Sequence, residues 1–340
     1  MTKLIDIKEY AKTLLALDKI LILTHAHPDG DTAGTAIGLL CALTNLGKDA
    51  AVACADVLPQ NIAFLLDYAD ENKCFFGKSF SETFVPEHIV SVDVASNSLL
   101  GDEMSAYSEK IELALDHHEI NSLSCEKLFV EPDSSSAGET MYYTLRELEE
   151  LSGKKLIDKN CACALYTALA SDSGNFKFSS VSGRTMASGG ALIDLGADNA
   201  EISRRLFDIK SLETLRAEAI CIENTRFFAD GFIAFSHTNL EILARENLVE
   251  SDFDSCVQVL RTVKGAEIAI FAKQKPTDDG KEKYRISMRS NKYFDVAEIC
   301  AAFGGGGHKK AAGCTIYGTL DEVAEKIVGA ISEKTVTFKE

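Results

Sequence analysis

Four short segments of the sequence carry residue types whose spacing suits the binding of divalent metal ions. Two ions about 3.5–4 Å apart can clamp the attacking and leaving oxygens of a phosphoryl centre, and such a pair needs several carboxylates, one of them shared. Aspartates with a few imidazoles suit Mn²⁺, Fe²⁺ or Mg²⁺ better than an ion that prefers thiolates. The segments that supply these groups are His25-Ala26-His27-Pro28-Asp29-Gly30-Asp31, Asp93, Asp116-His117-His118 and Asp172.

Each of these residues also has an ordinary structural interpretation. An aspartate that follows a strand is usually a helix cap or a turn residue, and a histidine pair usually packs in a core or lies on the surface. Four of the seven histidines, however, fall in two short loops that are rich in aspartate. Independent caps would not favour that clustering, so the sequence indicates one shared site.

The elements that must position these side chains alternate between strand and helix patterns. Strands are predicted at Lys19–Thr24, Ala50–Ala53, Ile89–Val94 and Ile111–Leu115, and helices at Thr32–Leu46, Ser136–Leu151 and Asn160–Ser171. Alternation of this kind predicts a parallel α/β sheet, whose strands end at one common edge where ligands bind. The Asp and His segments follow three of these strands, and Asp172 precedes a Ser173-Gly174 turn that could return to the same edge.

The pattern changes after about residue 220, and the length of 340 residues predicts two domains. Strands are predicted at Phe227–His237, Ala266–Lys273 and Tyr284–Arg289, and helices at Leu240–Leu248, Cys256–Val263 and Val296–Phe303. We therefore predict an α/β protein with a parallel-sheet, metal-binding catalytic domain at 1–190, a helical linker at 191–220 and a smaller α/β substrate-binding domain at 221–340.

A second signal lies in the predicted C-terminal domain. The run Phe303–Gly313 contains four consecutive glycines, which let the backbone approach an anion closely, followed by His308 and two lysines. The stretch Lys273–Lys292 holds seven Lys/Arg against three Asp/Glu. Most of these cations could belong to a solvated hairpin. Arg289 and Ser290, at the end of a predicted strand, are the residues expected to touch a ligand.

Composition restricts the ligand and the compartment. With 52 acidic and 35 basic residues the formal net charge is −17, which disfavours tracking along duplex DNA or long RNA. The ten cysteines form no C-x-x-C pair and lie in apolar runs, which favours small buried side chains in a reducing compartment over a zinc site. The N-terminus lacks a signal-peptide pattern, and the longest uncharged run, 32–47, is too short to span a bilayer. We predict a soluble, cytoplasmic protein without membrane partners.

Together, these segments resemble the DHH phosphoesterase family, which is named after the triad seen here as Asp116-His117-His118. The family motif H-x-N-P-D-G-D-x-x-G-S matches residues 25–35, with His27 in place of Asn and Thr35 in place of Ser. Val92–Ser96 and Asp172–Gly174 are similar to two further motifs. Arg289-Ser290 and Gly304–Gly313 resemble a DHH-associated domain of the G-G-G-H-x-x-A-A-G type, so the resemblance covers essentially the whole chain.

The resemblance implies a role for each matching position. Two divalent ions, with Mn²⁺ as the expected metal, would be held by His25, Asp29 and Asp93 and by Asp31, Asp93, His117 and Asp172, with Asp93 shared. His118 would contact the scissile phosphate, and Asp116 would orient the adjacent histidines. The far end of the substrate would be bound by Arg289, Ser290, Gly305, Gly306, Gly307 and His308.

The compact two-domain form resembles the nanoRNase type within this family. That type implies hydrolysis of short oligoribonucleotides to mononucleotides and removal of the 3′-phosphate of 3′-phosphoadenosine 5′-phosphate. The partners expected are short RNA and phosphorylated nucleotides. The sequence leaves undecided whether the chain forms a homodimer. The sequence also leaves open a phosphodiesterase for cyclic dinucleotides or their linear products, and a non-catalytic nucleotide-binding protein. An inorganic pyrophosphatase or a long single-strand exonuclease fits the C-terminal motif and the acidic charge less well.

Overall fold

The computed structural model describes residues 2–80, 83–277 and 280–337, without the side chains of His308 and residues 335–337. The chain packs into two compact units, Met1–Ile209 and Lys210–Glu340. The predicted linker 191–220 contributes residues to both units. The proposed division into 1–190, 191–220 and 221–340 stays a prediction.

The first unit contains a seven-stranded sheet in the order β1-β7-β6-β5-β2-β3-β4, in which every pairing is parallel. The strands are short, and apart from the exposed edge strand β1 they are mostly buried, as expected for a sheet that is covered on both faces. The strands are β1 Lys3–Leu4, β2 Ile20–Leu23, β3 Ala50–Cys54, β4 Cys74–Phe76, β5 His88–Val92, β6 Leu113–Asp116 and β7 Lys127–Val130.

Helices cover one face of this sheet, and α3 with the connecting segments covers the other. The α-helices are α1 Ile7–Ala16, α2 Gly30–Leu46, α3 Asp102–Ser105, α4 Ala137–Ser152, α5 Lys159–Asp172, α6 Gly183–Asp194 and α7 Asn199–Ser203. Short 3₁₀ turns occur at Ala63–Tyr68, Glu71–Lys73, Asn97–Leu100 and Ser108–Lys110, and a π turn at Arg204–Asp208. The helix α2 begins at an Asp29 cap and ends at Gly47, which has φ 92°.

Close contact between α2 and α5 depends on glycines spaced four residues apart. A Cβ atom at Gly30 would lie 2.5 Å from Ser171 Oγ, and one at Gly34 would lie 2.6 Å from the Ala164 carbonyl oxygen. A Cβ atom at Gly38 would lie 2.7 Å from the Leu165 side chain. Because residues four apart share one helix face, this glycine stripe lets α5 lie directly against α2. The contact brings the end of α5 to the beginning of α2.

The second unit contains a six-stranded sheet in the order β12-β13-β11-β10-β9-β8. The pairing of β9 with β10 is parallel and the other pairings are antiparallel. The strands are β8 Arg226–Phe228, β9 Ile233–Thr238, β10 Ile268–Lys275, β11 Lys283–Ser290, β12 Gly306–His308 and β13 Ala311–Tyr317. The helices are α8 Leu212–Glu223, α9 Leu240–Glu246, α10 Cys256–Arg261, α11 Val296–Ala302 and α12 Leu320–Thr337, with a 3₁₀ turn at Glu250–Phe253.

Two sequence predictions for this unit were wrong in detail. The single strand predicted at Phe227–His237 is a hairpin, because Ala229, Asp230 and Gly231 take φ angles of 50°, 53° and 87° and turn the chain. An Asp-Gly pair is a strong signal for such a turn. The end of the glycine run, for which no strand was predicted, supplies the edge strand β12. The α/β fold class with a parallel N-terminal sheet is confirmed.

The predictions about cysteines and membrane spans can be compared with the structure. All ten cysteines are free; nine are buried and Cys125 is half-buried. Within the described ranges, none of the helices combines the length and the apolar character that crossing a bilayer requires.

Candidate metal centre

Three adjacent strands of the first sheet end at the predicted site. His25 lies two residues beyond β2, Asp93 directly follows β5, and Asp116 is the last residue of β6. The order β6-β5-β2 makes these strands neighbours. All three strands are parallel, so their carboxyl ends lie along one edge and their side chains converge there.

Three groups of side chains have ligand atoms that all lie within 4.8 Å of one another, and Asp93 belongs to two of them. The first group joins His25, Asp29 and Asp93, and the third joins Asp93, His117 and His118. His25 Nε2 lies 3.6 Å from Asp93 Oδ2 and 3.9 Å from Asp29 Oδ1. The other ring nitrogen of His25, Nδ1, lies 2.8 Å from the Ala26 carbonyl oxygen. A donor bond from Nδ1 to this carbonyl leaves Nε2 as the lone-pair donor toward the carboxylates, which is the usual tautomer of a metal-binding histidine.

The second group joins Asp31, His117 and Asp172, again with ligand atoms within 4.8 Å of one another. His117 Nε2 lies 3.6 Å from Asp31 Oδ2 and 3.5 Å from Asp172 Oδ2. Asp172 is the last residue of α5, and the glycine contact between α2 and α5 places it beside Asp31. The structure therefore brings Asp172 to this edge by helix packing, before the predicted Ser173-Gly174 turn begins.

Asp93 lies between the first two groups. Its Oδ2 faces His25, while its Oδ1 lies 3.8 Å from His117 Nε2 and 3.7 Å from His118 Nδ1. The side chain is 3% exposed, and Oδ1 has no hydrogen-bond partner within the described part of the chain. A buried carboxylate oxygen without a partner is costly unless it binds a cation. The donor set therefore fits two divalent ions that share Asp93.

The crowding of carboxylates changes their acidity. Burial, together with the nearby Asp93 and Asp172, raises the pKa of Asp31 well above its usual range. Burial likewise raises the pKa of Asp172 to about 6. Burial would lower the pKa of His25, but the Asp93 and Asp29 carboxylates raise it to about 9. All three shifts show an excess of negative charge that bound cations would neutralise.

Asp31 is held rigidly by the beginning of α4. Its carboxylate accepts hydrogen bonds from Ala137 N at 2.7 Å and Gly138 N at 2.9 Å, and from Thr35 Oγ1 at 3.3 Å. Amide groups at a helix N-terminus favour a negative charge. These bonds fix the orientation of Asp31, so that one oxygen faces His117.

The segment that provides this support, Ser134–Glu139, was not among the predicted site residues. The Ser134 carbonyl oxygen lies 3.4 Å from His117 Nδ1, and Ser136 caps α4 by accepting a hydrogen bond from Glu139 N. The buried Glu139 carboxylate accepts bonds from Ser135 and from Thr185 Oγ1. The S-x-x-E spacing before an apolar helix is a capping signal and could have identified this segment.

Asp116 and His118 form a pair beside the first two groups. Asp116 Oδ1 lies 2.8 Å from His118 Nδ1 and accepts the His117 backbone N–H at 2.8 Å, while Asn121 Nδ2 donates to Oδ2 at 2.5 Å. Burial would raise the pKa of Asp116, but the bonds from His118, Asn121 and His117 lower it overall. The bond to Asp116 raises the pKa of His118 to about 9. Asp116 thus orients the His118 ring through Nδ1.

The two positions that depart from the family motif have different surroundings. The His27 side chain is 93% exposed, and its Nδ1 lies 2.8 Å from Asp56 Oδ2, away from both groups. Thr35 is buried and donates to Asp31, so its hydroxyl performs a supporting role that serine could also perform. The substitution at His27 therefore leaves both groups intact.

The predicted substrate residues of the second unit have unequal accessibility. Arg289 is half-buried, donates to the Met288 carbonyl oxygen at 2.9 Å and forms no ion pair with any described carboxylate. Ser290 is buried, and its hydroxyl donates to Glu267 Oε1 at 3.1 Å. The same Glu267 oxygen accepts the N–H groups of residues 292, 293 and 294. Substrate contact by Arg289 and Ser290 stays a prediction.

The glycine run ends the helix α11 and packs closely against β13. Gly304 N and Gly305 N donate to carbonyl oxygens at the end of α11. Cβ atoms at Gly305 and Gly307 would meet the backbone of β13 at 2.2 and 2.5 Å, whereas Gly306 faces open space. The side chain of His308 lies outside the described part of the structure. Contacts of Gly305, Gly306, Gly307 and His308 with substrate also stay predictions.

Comparison with known proteins gives the family. Residues 19–169 match the DHH family, N-terminal domain, and residues 240–336 match the DHHA1 domain. The chain therefore contains a DHH N-terminal domain followed by a DHHA1 domain. The predicted family, its C-terminal domain type and the hydrolase class of the chain are thereby confirmed.

Curated relatives align over nearly the full length. The chain is 27% identical to the bifunctional oligoribonuclease and PAP phosphatase NrnA of Thermus thermophilus, an alignment that covers 95% of this chain and 93% of the relative. It is 23% identical to the protein of the same name from Bacillus subtilis, over 91% and 93% of the two chains.

A solved structure supports the fold. An exopolyphosphatase-related protein from Bacteroides fragilis superposes with a TM-score of 0.85 at 22% identity, covering 98% of this chain and 97% of the other. At this level of identity the likeness supports the fold and carries no statement on activity.

Proposed function

We propose that this protein is a metal-dependent phosphoesterase that hydrolyses short oligoribonucleotides to mononucleotides and removes the 3′-phosphate of 3′-phosphoadenosine 5′-phosphate. The observation that carries the proposal is the buried Asp93, which belongs to one ligand group with His25 and Asp29 and to another with His117 and His118. The full-length alignments with relatives named for both activities support this choice of substrates.

The proposed roles follow from the contacts of each side chain. His25, Asp29 and Asp93 hold one ion, and Asp31, Asp93, His117 and Asp172 hold the other, with Mn²⁺ as the proposed metal. Two bound divalent ions would lower the pKa of the attacking water and offset the charge of the phosphoryl oxygens.

The chain's own groups orient the substrate. Asp116 engages His118 through Nδ1, which leaves Nε2 as the ring nitrogen that would donate to a phosphate oxygen. Hydrogen bonds hold two of the proposed ligands in position. Asp31 accepts the N–H groups of Ala137 and Gly138, and His117 Nδ1 lies beside the Ser134 carbonyl oxygen. Arg289 and the Gly304–Gly313 segment are proposed to bind the far end of the substrate.

A panel of substrates with Mn²⁺ tests the proposal. The panel holds a dinucleotide, a 24-mer RNA, 3′-phosphoadenosine 5′-phosphate and cyclic di-AMP. We expect the highest kcat/KM for the dinucleotide and clear phosphate release from 3′-phosphoadenosine 5′-phosphate. Preferential cleavage of the 24-mer or of cyclic di-AMP would contradict the proposed substrate class.

A further inference from the structure

One face of the C-terminal sheet is open at strands β11 and β13. Along β11 the even-numbered residues Tyr284, Ile286, Met288 and Ser290 are buried, whereas the odd-numbered residues are half-buried or exposed. The strand β13 alternates in the same way. Side chains alternate between the two faces of a strand, so one face of these strands is packed and the other is accessible.

The open face results from incomplete helix coverage. The apolar cluster beneath α8, α9 and α10 includes Ala234 of β9 and Ala269 and Phe271 of β10. Among the residues that the structure describes, this cluster includes none from β11 or β13. Ala269 pairs with Arg289 and Phe271 with Ser287, so the covered and the open parts belong to the same sheet face.

The strand register arranges the open face in rows. Arg289, Ala311 and His308 form one row by backbone pairing, and Ser287, Gly313 and Gly306 form the next. Arg285 pairs with Thr315 in a third row, and Lys283 pairs with Tyr317 in a fourth. The second row consists of small residues over which a chain could lie, and the last two rows offer cations and the Tyr317 ring, a residue that is 59% exposed.

The cations of this face are available for an anion. Lys273 and Lys275 of β10 form ion pairs with Asp254 and Glu250. By contrast, within the described residues Lys283, Arg285 and Arg289 form no ion pair. In a chain with net charge −17, three unpaired cations on one strand face constitute a local positive stripe.

The surroundings of Arg289 also favour a bound anion. Burial, together with the neighbouring Arg261, lowers the pKa of Arg289. An arginine beside another arginine gains from a bound anion, which reduces the repulsion between them.

We propose that the open face, defined by Lys283, Arg285, Ser287, Arg289, Thr315 and Tyr317, binds the single-stranded RNA chain beyond the nucleotide held at Arg289. Arg285 and Lys283 contact backbone phosphates, and Tyr317 stacks on a base. From residue 289 to residue 283 a strand rises about 20 Å, enough for more than one nucleotide. The inference rests on the proposed function and adds a binding surface that a dinucleotide is too short to occupy.

The test compares Arg285→Ala and Tyr317→Leu with the wild type. Fluorescence anisotropy in EDTA measures binding of a labelled pentanucleotide without turnover, and Mn²⁺ kinetics measure kcat/KM for the pentanucleotide and for a dinucleotide. Arg216→Ala is the matched control, because Arg216 is exposed on α8 and its loss removes the same charge elsewhere. Circular dichroism confirms that each variant is folded.

We expect each face variant to weaken pentanucleotide binding about tenfold and to leave dinucleotide kcat/KM unchanged, since stacking and phosphate contacts are lost only for the longer chain. Loss of one phosphate contact in Arg285→Ala should reduce the slope of log K against log salt by about 0.7. The Arg216→Ala control should behave as the wild type.

Unchanged pentanucleotide binding in both face variants would overturn the inference, as would an equal loss in Arg216→Ala or an equal loss for the dinucleotide. A dimer that Tyr317→Leu dissociates in size-exclusion chromatography would instead assign the face to a second copy of the chain, which also overturns it. A wild type that binds the pentanucleotide but hydrolyses no substrate would contradict the proposed function and leave the binding result standing.

Discussion

Two residues of the same type can have very different surroundings in this protein, as Asp93 and Asp56 show, and likewise His25 and His27. Asp93 is buried between two histidine-containing groups and has an unpaired oxygen, whereas Asp56 is half-exposed and pairs with His27. His25 and His27 are two residues apart, yet His25 is 17% exposed and faces two carboxylates while His27 is 93% exposed. Proximity to the other ligands, rather than residue type, decides which side chain can bind a metal.

We therefore expect His25→Ala and His27→Ala to differ sharply. His25→Ala should lower kcat/KM for a dinucleotide by about 10²-fold or more, because one ion loses a ligand. His27→Ala should stay within about twofold of the wild type, because its only described side-chain partner lies outside both groups. Mn²⁺-dependent kinetics on both variants decide this, and a large loss in His27→Ala would show that the motif departure matters.

At the residue scale the sequence pointed to the proposed ligands but not to the groups that support them. The positions of His25, Asp29, Asp31, Asp93 and His117 after strands were predictable, because parallel strands end at one edge. The bonds that hold Asp31 come from backbone N–H groups at the start of α4, and backbone donors leave no signature in residue identity. Ser290 was predicted at the end of a strand and is the last residue of β11, but its hydrogen bond to the distant Glu267 could not be read from the sequence.

At the scale of elements, helix packing completes the site. The proposed ligand Asp172 comes from a helix rather than from a strand, and it reaches the others because α5 lies against the glycine stripe of α2. The predicted helices Thr32–Leu46 and Asn160–Ser171 agree with α2 and α5 within two residues at each end. Their mutual contact was not predicted, although the spacing of Gly30, Gly34 and Gly38 was available as a signal.

Substitutions of these glycines should have graded effects. Gly34→Ala places a methyl group against the α5 backbone, which cannot move aside locally, so we expect a loss of about 1–3 kcal/mol in unfolding free energy and weaker Mn²⁺ binding. Gly38→Ala meets only the Leu165 side chain and should cost less. Chemical denaturation measures the stabilities, and isothermal titration measures the Mn²⁺ affinity.

The exposed Gly190 in α6 provides the control for these two variants. A Cβ atom there would meet nothing within 4 Å, so Gly190→Ala should stabilise the protein by about 0.4–1 kcal/mol through reduced entropy of the unfolded chain. Equal losses in Gly34→Ala and Gly190→Ala would show that helix contact does not govern the effect.

On the scale of the whole molecule, the proposed metal ligands and the predicted substrate residues lie in different units. The first unit contains all six proposed metal ligands, and the second contains the predicted substrate residues from 289 to 308. The acidic excess of the chain includes the clustered carboxylates of the first unit, whose burial is unfavourable without cations. The family resemblance came from the order of motifs along the chain, and the two domain matches confirm the predicted DHH and DHHA1 domains.

Metal should therefore stabilise the first unit selectively. A ligand that binds only the native state at 100 times its Kd adds about 2.7 kcal/mol per site. Hydrogen exchange with and without Mn²⁺ should show increased protection in residues 1–209 and little change in 210–337. Removal of Mn²⁺ with EDTA should reverse the effect. Uniform protection of both units would contradict a metal centre confined to the first.

The most direct test of the central claim is the Mn²⁺-dependent hydrolysis of a dinucleotide by Asp93→Asn. Asparagine keeps the shape of the side chain and tolerates the φ angle of 58° at this position, so the variant should fold while losing the shared negative charge. Asp56→Asn is the matched control. The account predicts that Asp93→Asn loses at least about 10³-fold in kcat/KM while Asp56→Asn retains wild-type activity. Turnover by Asp93→Asn equal to that of the wild type would contradict a two-metal centre built on Asp93.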